Sequence, residues 1–399
     1  MIRNPALKNR DYRRLLAGAA FNQQGMSGEQ VVIGILFLQA TGSTAWVGIA
    51  LAVYFLPFFA FGLLSGAVAD WIDRRVLLRR LELSTAASLA AFATTFTLGT
   101  PPVWLIILFT LFAGSLRALH QPVRSSYAYD LVGEANVVEG IGLLNLGSRA
   151  GQLLGALVAG YVMQRHGAPA ALYCLAFGHT ISFVLFHGLE SAGIAAVAVR
   201  KPIWQNILEY VGELRANRLL LILLAVTASV EIFGFSFATA LPEIATERLN
   251  LGPEGLGFLQ GTRAFAGICA GIAFATFGSR RRTGVLYLSI IVAFGAAMLF
   301  LSGSTLFVTT LAAVFLVSLC AASCDILSQS MMQLSVANEL RGRAMGVWVL
   351  ALGFGPLGHL ELGAVSDALG ISSGLFLNAM ILLGIGTFAA MAMPRLRRL

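Results

Sequence analysis

Residues 284–302 read GVLYLSIIVAFGAAMLFLS and contain no charged side chain. A helix needs about 20 apolar residues to cross the hydrocarbon core of a bilayer, and only helices or closed barrels satisfy their backbone hydrogen bonds there. Eleven other apolar stretches of similar length fill most of the 399-residue chain. We therefore predict twelve transmembrane helices, at residues 15–38, 47–68, 77–99, 102–122, 138–162, 170–189, 218–241, 255–277, 284–302, 305–327, 343–366 and 371–393.

The composition and the distribution of charge agree with a membrane protein. Hydrophobic residues make up 57% of the chain and charged residues 12%, whereas soluble domains carry about 25% charged residues. If the predicted spans alternate in direction, 22 of the 27 Lys and Arg residues fall on one side, and the other side holds only Arg165 and Arg248. By the positive-inside rule, both termini should be cytoplasmic. We expect a multi-pass protein of the bacterial cytoplasmic (inner) membrane and no nucleic-acid partner.

The pattern of reactive side chains argues against an enzyme. No His-x-x-x-His, His-Glu-x-x-His or Cys-x-x-Cys pattern occurs, and all four cysteines lie inside predicted spans. We therefore predict no catalytic residues, no metal and no cofactor, with packing roles for the cysteines. The first span is too long and too polar for the apolar region of a cleavable signal peptide.

The chain divides into two halves. The longest polar interval, 190–217, has six predicted spans on each side. Residues 154–160 (LGALVAG) are echoed 203 positions later by 357–363 (LGHLELG). Such repeats are typical of secondary transporters. We predict an N-terminal six-helix bundle at 1–190 and a C-terminal one at 218–399. The cytoplasmic segment 191–217 between them should hold a short amphipathic helix or form a plain linker.

The loop after the second span carries a recognisable motif. Residues 66–75 read GAVADWIDRR, which resembles the signature loop of the major facilitator superfamily, Gly-x-x-x-Asp-(Arg/Lys)-x-Gly-(Arg/Lys)-(Arg/Lys). Trp71 and Asp73 depart from that pattern. The resemblance implies a loop that latches the cytoplasmic side of the outward-facing state, with Asp70 facing the end of span eleven. The gate-loop candidates are Gly66, Asp70, Asp73, Arg74 and Arg75.

Other stretches are similar to one branch of that superfamily. STAWVG (43–48), GLGFL (255–259) and LRGRAMGVW (340–348) resemble the branch that contains the enterobactin exporter and macrolide-efflux proteins. This resemblance implies two pseudo-symmetric six-helix bundles, alternating access and export driven by proton exchange. GSRAGQLLGA (147–156) resembles part of an antiporter signature, although such small residues also let helices approach closely. Pro356 should bend span eleven.

Ionisable and polar groups inside the spans are the remaining candidates. Such groups are costly in a bilayer and usually face a cavity or a partner. The proton-coupling candidates are Glu29, Glu231 and Glu361. The substrate-cavity candidates are Asn22, Gln23, Gln30, Asn145, Arg149, Gln152, Arg263 and His359. The alternative is structural pairing, of Glu29 with Arg149 and of Glu231 or Glu361 with Arg263. All histidines except His359 are expected to have packing roles only.

Together these features predict a secondary active transporter. We expect it to export a small organic molecule, a siderophore or an amphiphilic drug, from the cytoplasm by proton antiport. The alternative is an uptake carrier or facilitator for an iron chelate, a lipid or another metabolite. The expected partners are the small-molecule substrate, protons and the lipid bilayer, and we expect a monomer.

Overall fold

The computed structural model describes residues 5–62, 72–133, 137–193, 217–277, 283–336 and 341–397. Within these ranges the chain is helical and contains no β-strand. Nine of the described helices are long and apolar enough to cross a membrane, and Thr44–Phe58 is a shorter apolar helix. The protein is thus an all-helical, multi-pass membrane protein, while the number of twelve spans stays a prediction.

The main helices follow the predicted spans along the chain. They are α1 (Arg10–Thr41), α2 (Thr44–Gly62), α3 (Arg74–Thr95), α4 (Val103–Val132), α5 (Val137–His187), α6 (Arg218–Phe233), α7 (Gly252–Phe277), α8 (Thr283–Gly303), α9 (Phe307–Leu334), α10 (Arg341–Leu352), α11 (Gly355–Leu369) and α12 (Ile371–Ala392). Shorter helical turns lie at Pro5–Lys8, Phe96–Leu98, Phe235–Ala240, Leu241–Glu243, Ile244–Arg248 and Pro394–Arg397.

The helices depart from a one-to-one match with the predicted spans at two places. α5 contains the fifth and sixth spans, because Gly167 (φ 80°, ψ 173°) interrupts the helical backbone and turns the chain. A positive φ of this kind is accessible to glycine at low cost. Span eleven is divided into α10 and α11 at residues 353–354, and Pro356 lies in the first turn of α11. The interruption occurs where the sequence predicts a bend.

Polar side chains cap the N-termini of several helices, because they accept hydrogen bonds from N–H groups of the first turn that have no partner within the helix. Asn9 Oδ1 accepts from the N–H of Asp11 at 2.9 Å at the start of α1. Asp73 Oδ1 accepts from the N–H of Arg75 at 2.9 Å and begins α3. Asn217 caps α6 by the same kind of bond. These caps set where the apolar helices start.

The helices are grouped into two compact units, each built from separated parts of the chain. The first unit contains Met1–Thr41, Ala60–Arg200 and Asn250–Phe265, and the second contains Gly42–Phe59, Lys201–Leu249 and Ala266–Leu399. The division of the sequence at 190 and 218 stays a prediction about the two halves.

In the first unit, α1 packs along α5. A Cβ at Gly151 would overlap the carbonyl oxygen of Ala20, and one at Gly155 would overlap that of Gln24. The apolar core nearby joins α1, α3, α4 and α5. It consists of Leu15, Ala19, Leu77, Leu78, Leu81, Val123, Tyr127, Ala128, Leu144, Phe186 and Leu189. The glycines of the antiporter-like stretch therefore permit a close helix–helix approach, which is the packing role given above as the alternative.

The start of α1 is held by buried polar contacts. The carboxylate of Asp11 accepts from the N–H of Ser191 at 2.7 Å and that of Glu190 at 3.0 Å. Burial raises the pKa of Asp11, but these hydrogen bonds and that from Arg14 outweigh it and hold the pKa below its ordinary value of 3.8. One residue on, Tyr12 donates to the carbonyl of Gly140 at 2.5 Å.

In the second unit, α2 packs closely on α11. A Cβ at Gly48 would overlap the carbonyl oxygen of His359. At the same end of α2, Asp367 Oδ1 accepts from the N–H of Thr44 at 2.8 Å and that of Ala45 at 3.0 Å. Its Oδ2 accepts from Ser43 Oγ at 2.5 Å. Asp367 of α11 therefore caps the N-terminus of α2.

Candidate functional site

The first candidate, Glu29, belongs to a buried row of four titratable side chains in the first unit. His179 Nε2 lies 3.6 Å from Glu29 Oε1, and His179 Nδ1 lies 2.8 Å from Glu82 Oε2. His120 Nε2 lies 2.7 Å from Glu82 Oε1. The side chains of all four are at most 3% exposed. We call Glu29, His179, Glu82 and His120 the acid–imidazole chain.

Four helix segments bring the acid–imidazole chain together. Glu29 lies on α1, Glu82 on α3, His120 on α4, and His179 on the part of α5 after the turn. The imidazole of His179 fits beside α1 because residue 25 is glycine, where a Cβ would overlap the ring. Asn22 Nδ2 donates to Glu82 Oε1 at 2.6 Å. The absence of a side chain at Gly25 thus lets the ring of His179 on α5 lie directly against α1.

Three members of this chain were not among the predicted site residues. The sequence predicts packing roles only for His120 and His179, and it does not place Glu82 among the site residues. The structure adds that both imidazoles lie within 3 Å of a carboxylate oxygen of Glu82, while their role stays a prediction. The signal was present in the sequence. Glu82 is an acidic residue within the predicted span 77–99, so the rule applied to Glu29 applies equally to it.

A second polar row in the first unit joins three of the predicted substrate-cavity candidates. Gln152 Nε2 donates to Gln23 Oε1 at 2.8 Å, and Arg149 Nη1 donates to Gln152 Oε1 at 3.4 Å. Gln30 is half-buried, and Asn145 is exposed. The structure therefore brings Gln23, Gln152 and Arg149 together between α1 and α5.

Arginine side chains of the first unit form a group of like charge. Arg263 of α7 donates to Gln260 Oε1 at 2.7 Å. Arg149 and Arg117 both interact electrostatically with Arg263. Three cationic groups from α4, α5 and α7 therefore act on one another in a part of the protein where apolar residues predominate.

The candidates of the second unit lie on α6 and α11. Glu231 is 7% exposed, and the carboxylate of Asp325 is a neighbouring ionisable group that acts on it. Glu361 Oε2 accepts from Asn378 Nδ2 at 3.0 Å. The ring of His359 stacks on Phe55, with centroids 5.6 Å apart. Its Nδ1 lies 3.0 Å from Thr239 Oγ1.

The described part of the gate loop is tied to its own unit. Arg74 forms an ion pair with Asp130 at 2.7 Å, at the end of α4. Arg75 donates to the carbonyl of Glu190 at 2.8 Å, and Asp73 caps α3. Gly66 and Asp70 lie outside the described residues, as does most of the segment 191–217 with its predicted amphipathic helix. The latch predicted for Asp70 therefore stays a prediction.

Among the residues that the structure describes, no group of three His, Cys, Asp or Glu side chains is arranged to hold a metal ion. The four cysteines are free thiols. Carboxyl and imidazole groups are side chains of the kind that can bind and transfer protons.

Comparison with known families places this geometry in context. The profile of the Major Facilitator Superfamily matches residues 15–358, which is most of the chain. The protein belongs to the Major Facilitator Superfamily. The family resemblance inferred from the motifs is thereby confirmed, and this superfamily member is a membrane-embedded transporter of small molecules rather than an enzyme.

Two curated members of the superfamily are similar over most of their length. The staphyloferrin A transporter of Staphylococcus aureus is 22% identical over 348 residues, which cover 86% of each chain. The multidrug efflux pump Tap of Mycolicibacterium fortuitum is 23% identical over 377 residues, which cover 91% of each chain. The relatives thus include a siderophore transporter and a drug efflux pump.

Solved structures confirm the fold at lower sequence identity. A peptide transporter POT in complex with sulfate superposes with a TM-score of 0.79 at 14% identity, over 98% of this chain and 95% of that one. A bacterial homologue of the lysosomal transporter Spinster gives a TM-score of 0.73 at 13% identity, over 97% and 98% of the two chains. At this identity the likeness concerns the fold alone.

Proposed function

We propose that this protein exports a small organic molecule from the cytoplasm by proton antiport, through alternating access. Glu231 carries the proposal. It is a buried carboxylate inside an apolar helix, and a second carboxylate, Asp325, is among its ionisable neighbours. Two negative charges repel each other strongly where water is scarce, and binding of a proton relieves that repulsion. Such a pair is suited to take up and release a proton as its access to water changes.

The arginine group supports an anionic substrate. Arg149 and Arg263 are oriented by the amide oxygens of Gln152 and Gln260, and Arg117 acts on the same region. A guanidinium group binds carboxylates in a bidentate manner. We therefore favour a carboxylate-bearing siderophore over a cationic amphiphilic drug. The similarity to a transporter of staphyloferrin A supports this choice.

Export is the direction supported by the relative that is named an efflux pump. Uptake of an iron chelate or another metabolite is the second candidate, because the name of the siderophore transporter states no direction. We further propose that the protein is a monomer in the bacterial inner membrane with both termini in the cytoplasm, as the distribution of basic residues indicates.

Transport in proteoliposomes tests the function. Purified protein is reconstituted with a pH-sensitive dye inside the vesicles, and staphyloferrin A or ethidium is added as the probe. We expect a probe-triggered proton flux in the direction opposite to the probe, and accumulation of the probe that stops when a protonophore collapses the gradient. Uphill transport that survives the protonophore would contradict antiport.

Paired variants test the role of Glu231. Glu231→Gln removes the titratable group and should abolish uphill transport. Glu254→Gln changes a carboxylate in the first turn of α7 and should leave transport intact. Equal uphill rates in both variants would exclude Glu231 as a proton carrier.

The same assay tests the charge of the substrate. Transport of staphyloferrin A in preference to ethidium would support an anionic substrate, and the reverse preference would contradict it.

A further inference from the structure

The acid–imidazole chain is unusual because its members are buried in the interior of the first unit. Glu82 is 0% exposed, Glu29 1%, His179 0% and His120 2%. Buried ionisable groups are costly unless their charges are balanced. A bundle that needed only stable packing would place apolar side chains here, so the four groups call for a chemical explanation.

Cationic side chains lie near the two carboxylates of the acid–imidazole chain. Two ionised carboxylates contribute two negative charges. Arg124 of α4 interacts electrostatically with Glu82 and His120 and contributes one positive charge. Arg117, in turn, interacts with Arg124. The two carboxylates and Arg124 alone sum to one negative charge, which a proton on an imidazole would neutralise, and Arg117 lies further along the same series of charges.

The geometry indicates where that proton resides. His179 lies between the two carboxylates, with Nδ1 at 2.8 Å from Glu82 and Nε2 at 3.6 Å from Glu29. A neutral imidazole donates from one nitrogen only, whereas an imidazolium donates from both. The protonated form of His179 can therefore donate to Glu82 from Nδ1 while it presents an N–H towards Glu29 from Nε2.

The same row provides a route for transfer. Glu82 uses its second oxygen to contact His120 Nε2 at 2.7 Å and to accept from Asn22 at 2.6 Å. When the proton leaves, the Nε2–H bond of His179 breaks, its electron pair stays on the nitrogen, and a Glu29 oxygen takes the proton. The 3.6 Å between His179 Nε2 and Glu29 Oε1 exceeds a hydrogen-bond length, so this transfer requires α1 and α5 to come closer at this point. Movement of α1 would therefore govern the transfer.

We propose that Glu29, His179, Glu82 and His120 form a proton-binding site that couples transport, with one exchangeable proton held on His179 between the two carboxylates. This inference rests on the proposed function, since it places a coupling proton of the antiporter. It assigns that proton to the interior of the first unit and adds Glu82, His120 and His179 to the residues that carry coupling.

Variants that keep shape but remove titration test the inference. His179→Gln and Glu82→Gln are compared with His166→Gln, which changes an exposed histidine near the turn in α5. Each protein is reconstituted and tested with staphyloferrin A and ethidium. The two readouts are probe exchange at equal pH and uphill transport driven by a proton gradient. Exchange moves no net protons, so it does not require a working proton site.

We expect His179→Gln and Glu82→Gln to retain exchange. Their uphill transport should fall to the level of protein-free vesicles. The pH dependence of exchange should also become flat in them, while His166→Gln keeps the wild-type profile. Uphill transport preserved in His179→Gln and Glu82→Gln would overturn the inference and leave the proposed function intact. Loss of both readouts in folded variants would also overturn it, since that result indicates a purely structural role. A wild-type protein without proton-coupled transport would refute both proposals.

If these variants do not fold, a measurement on the wild-type protein tests the same inference. Histidines are labelled with ¹⁵N in the protein in lipid nanodiscs, and the exposed His166 and His187 are identified through their Gln variants. We expect one buried imidazole to be protonated on both nitrogens at neutral pH and to lose a proton when the transported probe is added. Buried imidazoles that stay neutral throughout the pH range of transport would overturn the inference.

Discussion

Asp367 holds the N-terminus of α2 against α11, and its removal should loosen that contact. The carboxylate accepts hydrogen bonds from the N–H groups of Thr44 and Ala45 and from the hydroxyl of Ser43. A negative charge at this position is also favoured by the partial positive charge of the helix N-terminus. Asp367→Ala removes both contributions without disturbing the apolar contact around Gly48.

The size of the effect follows from the capping energetics. Loss of an N-cap side chain costs about 0.5–2 kcal/mol, and hydrogen bonds to a buried charged group contribute about 1.5–3 kcal/mol each. Asp367 is exposed to solvent, so the lower part of these ranges applies. We expect a loss of about 1–2 kcal/mol, which shifts the equilibrium towards a state with α2 and α11 apart by about 5- to 30-fold.

Thiol labelling measures this shift. Val47 of α2 is 0% exposed, so Val47→Cys in a variant without the four native cysteines reacts with a maleimide only when α2 separates. In nanodiscs the labelling rate should rise about 5- to 30-fold in Asp367→Ala. Asp367→Asn, which keeps one acceptor oxygen, should give an intermediate rate. Glu254→Ala, at the start of another helix, should leave the rate unchanged. An unchanged rate in folded Asp367→Ala would refute the reasoning.

Three further predictions concern the first unit. Tyr12→Phe leaves the buried carbonyl of Gly140 without its donor and should lower the free energy of unfolding by about 1–2 kcal/mol, measured by thermal denaturation; an unchanged midpoint would contradict it. Because the pKa of Asp11 is lowered on folding, its ionised form stabilises the protein above the ordinary value of 3.8, and this contribution is lost as the pH falls through the lower folded value. The stability difference between wild type and Asp11→Asn should thus be full at about pH 7 and shrink below about pH 4, and a constant difference would argue against it. Gly151→Ala should destabilise the α1–α5 contact by about 1–3 kcal/mol, whereas Gly142→Ala, with open space at its Cβ, should have little effect; equal thermal midpoints would refute the close approach.

Much of the fold was predictable from the chain because the bilayer imposes a simple rule. Apolar length alone located the helices, and Pro356 indicated the interruption between α10 and α11. The turn at Gly167 within α5 was also anticipated as a gap between the fifth and sixth spans. These features are determined by residues that are close together in the sequence, so they can be predicted from the sequence itself.

The candidate site was less accessible because it depends on contacts between distant residues. Glu82 and His179 are 97 positions apart, yet their side chains lie 2.8 Å from each other. Each histidine taken alone resembled an ordinary packing residue. The four groups form one row only when α1 and α5 pack closely together, and Gly25, Gly151 and Gly155 permit that packing.

The break between α10 and α11 has a mechanical consequence. An uninterrupted helix transmits bending along its length through its ladder of hydrogen bonds, but this ladder changes at Gly353 and Phe354. The N–H of Gly353 is shared between the carbonyls of Val349 and Leu350, and that of Phe354 bonds to the carbonyl of Ala351, three residues earlier. The span therefore behaves as two stiff rods joined by a compliant joint. A force that bends α10 is therefore taken up at residues 353–354 before it reaches Asp367. α10 can change its angle while Asp367 stays bonded to the N-terminus of α2.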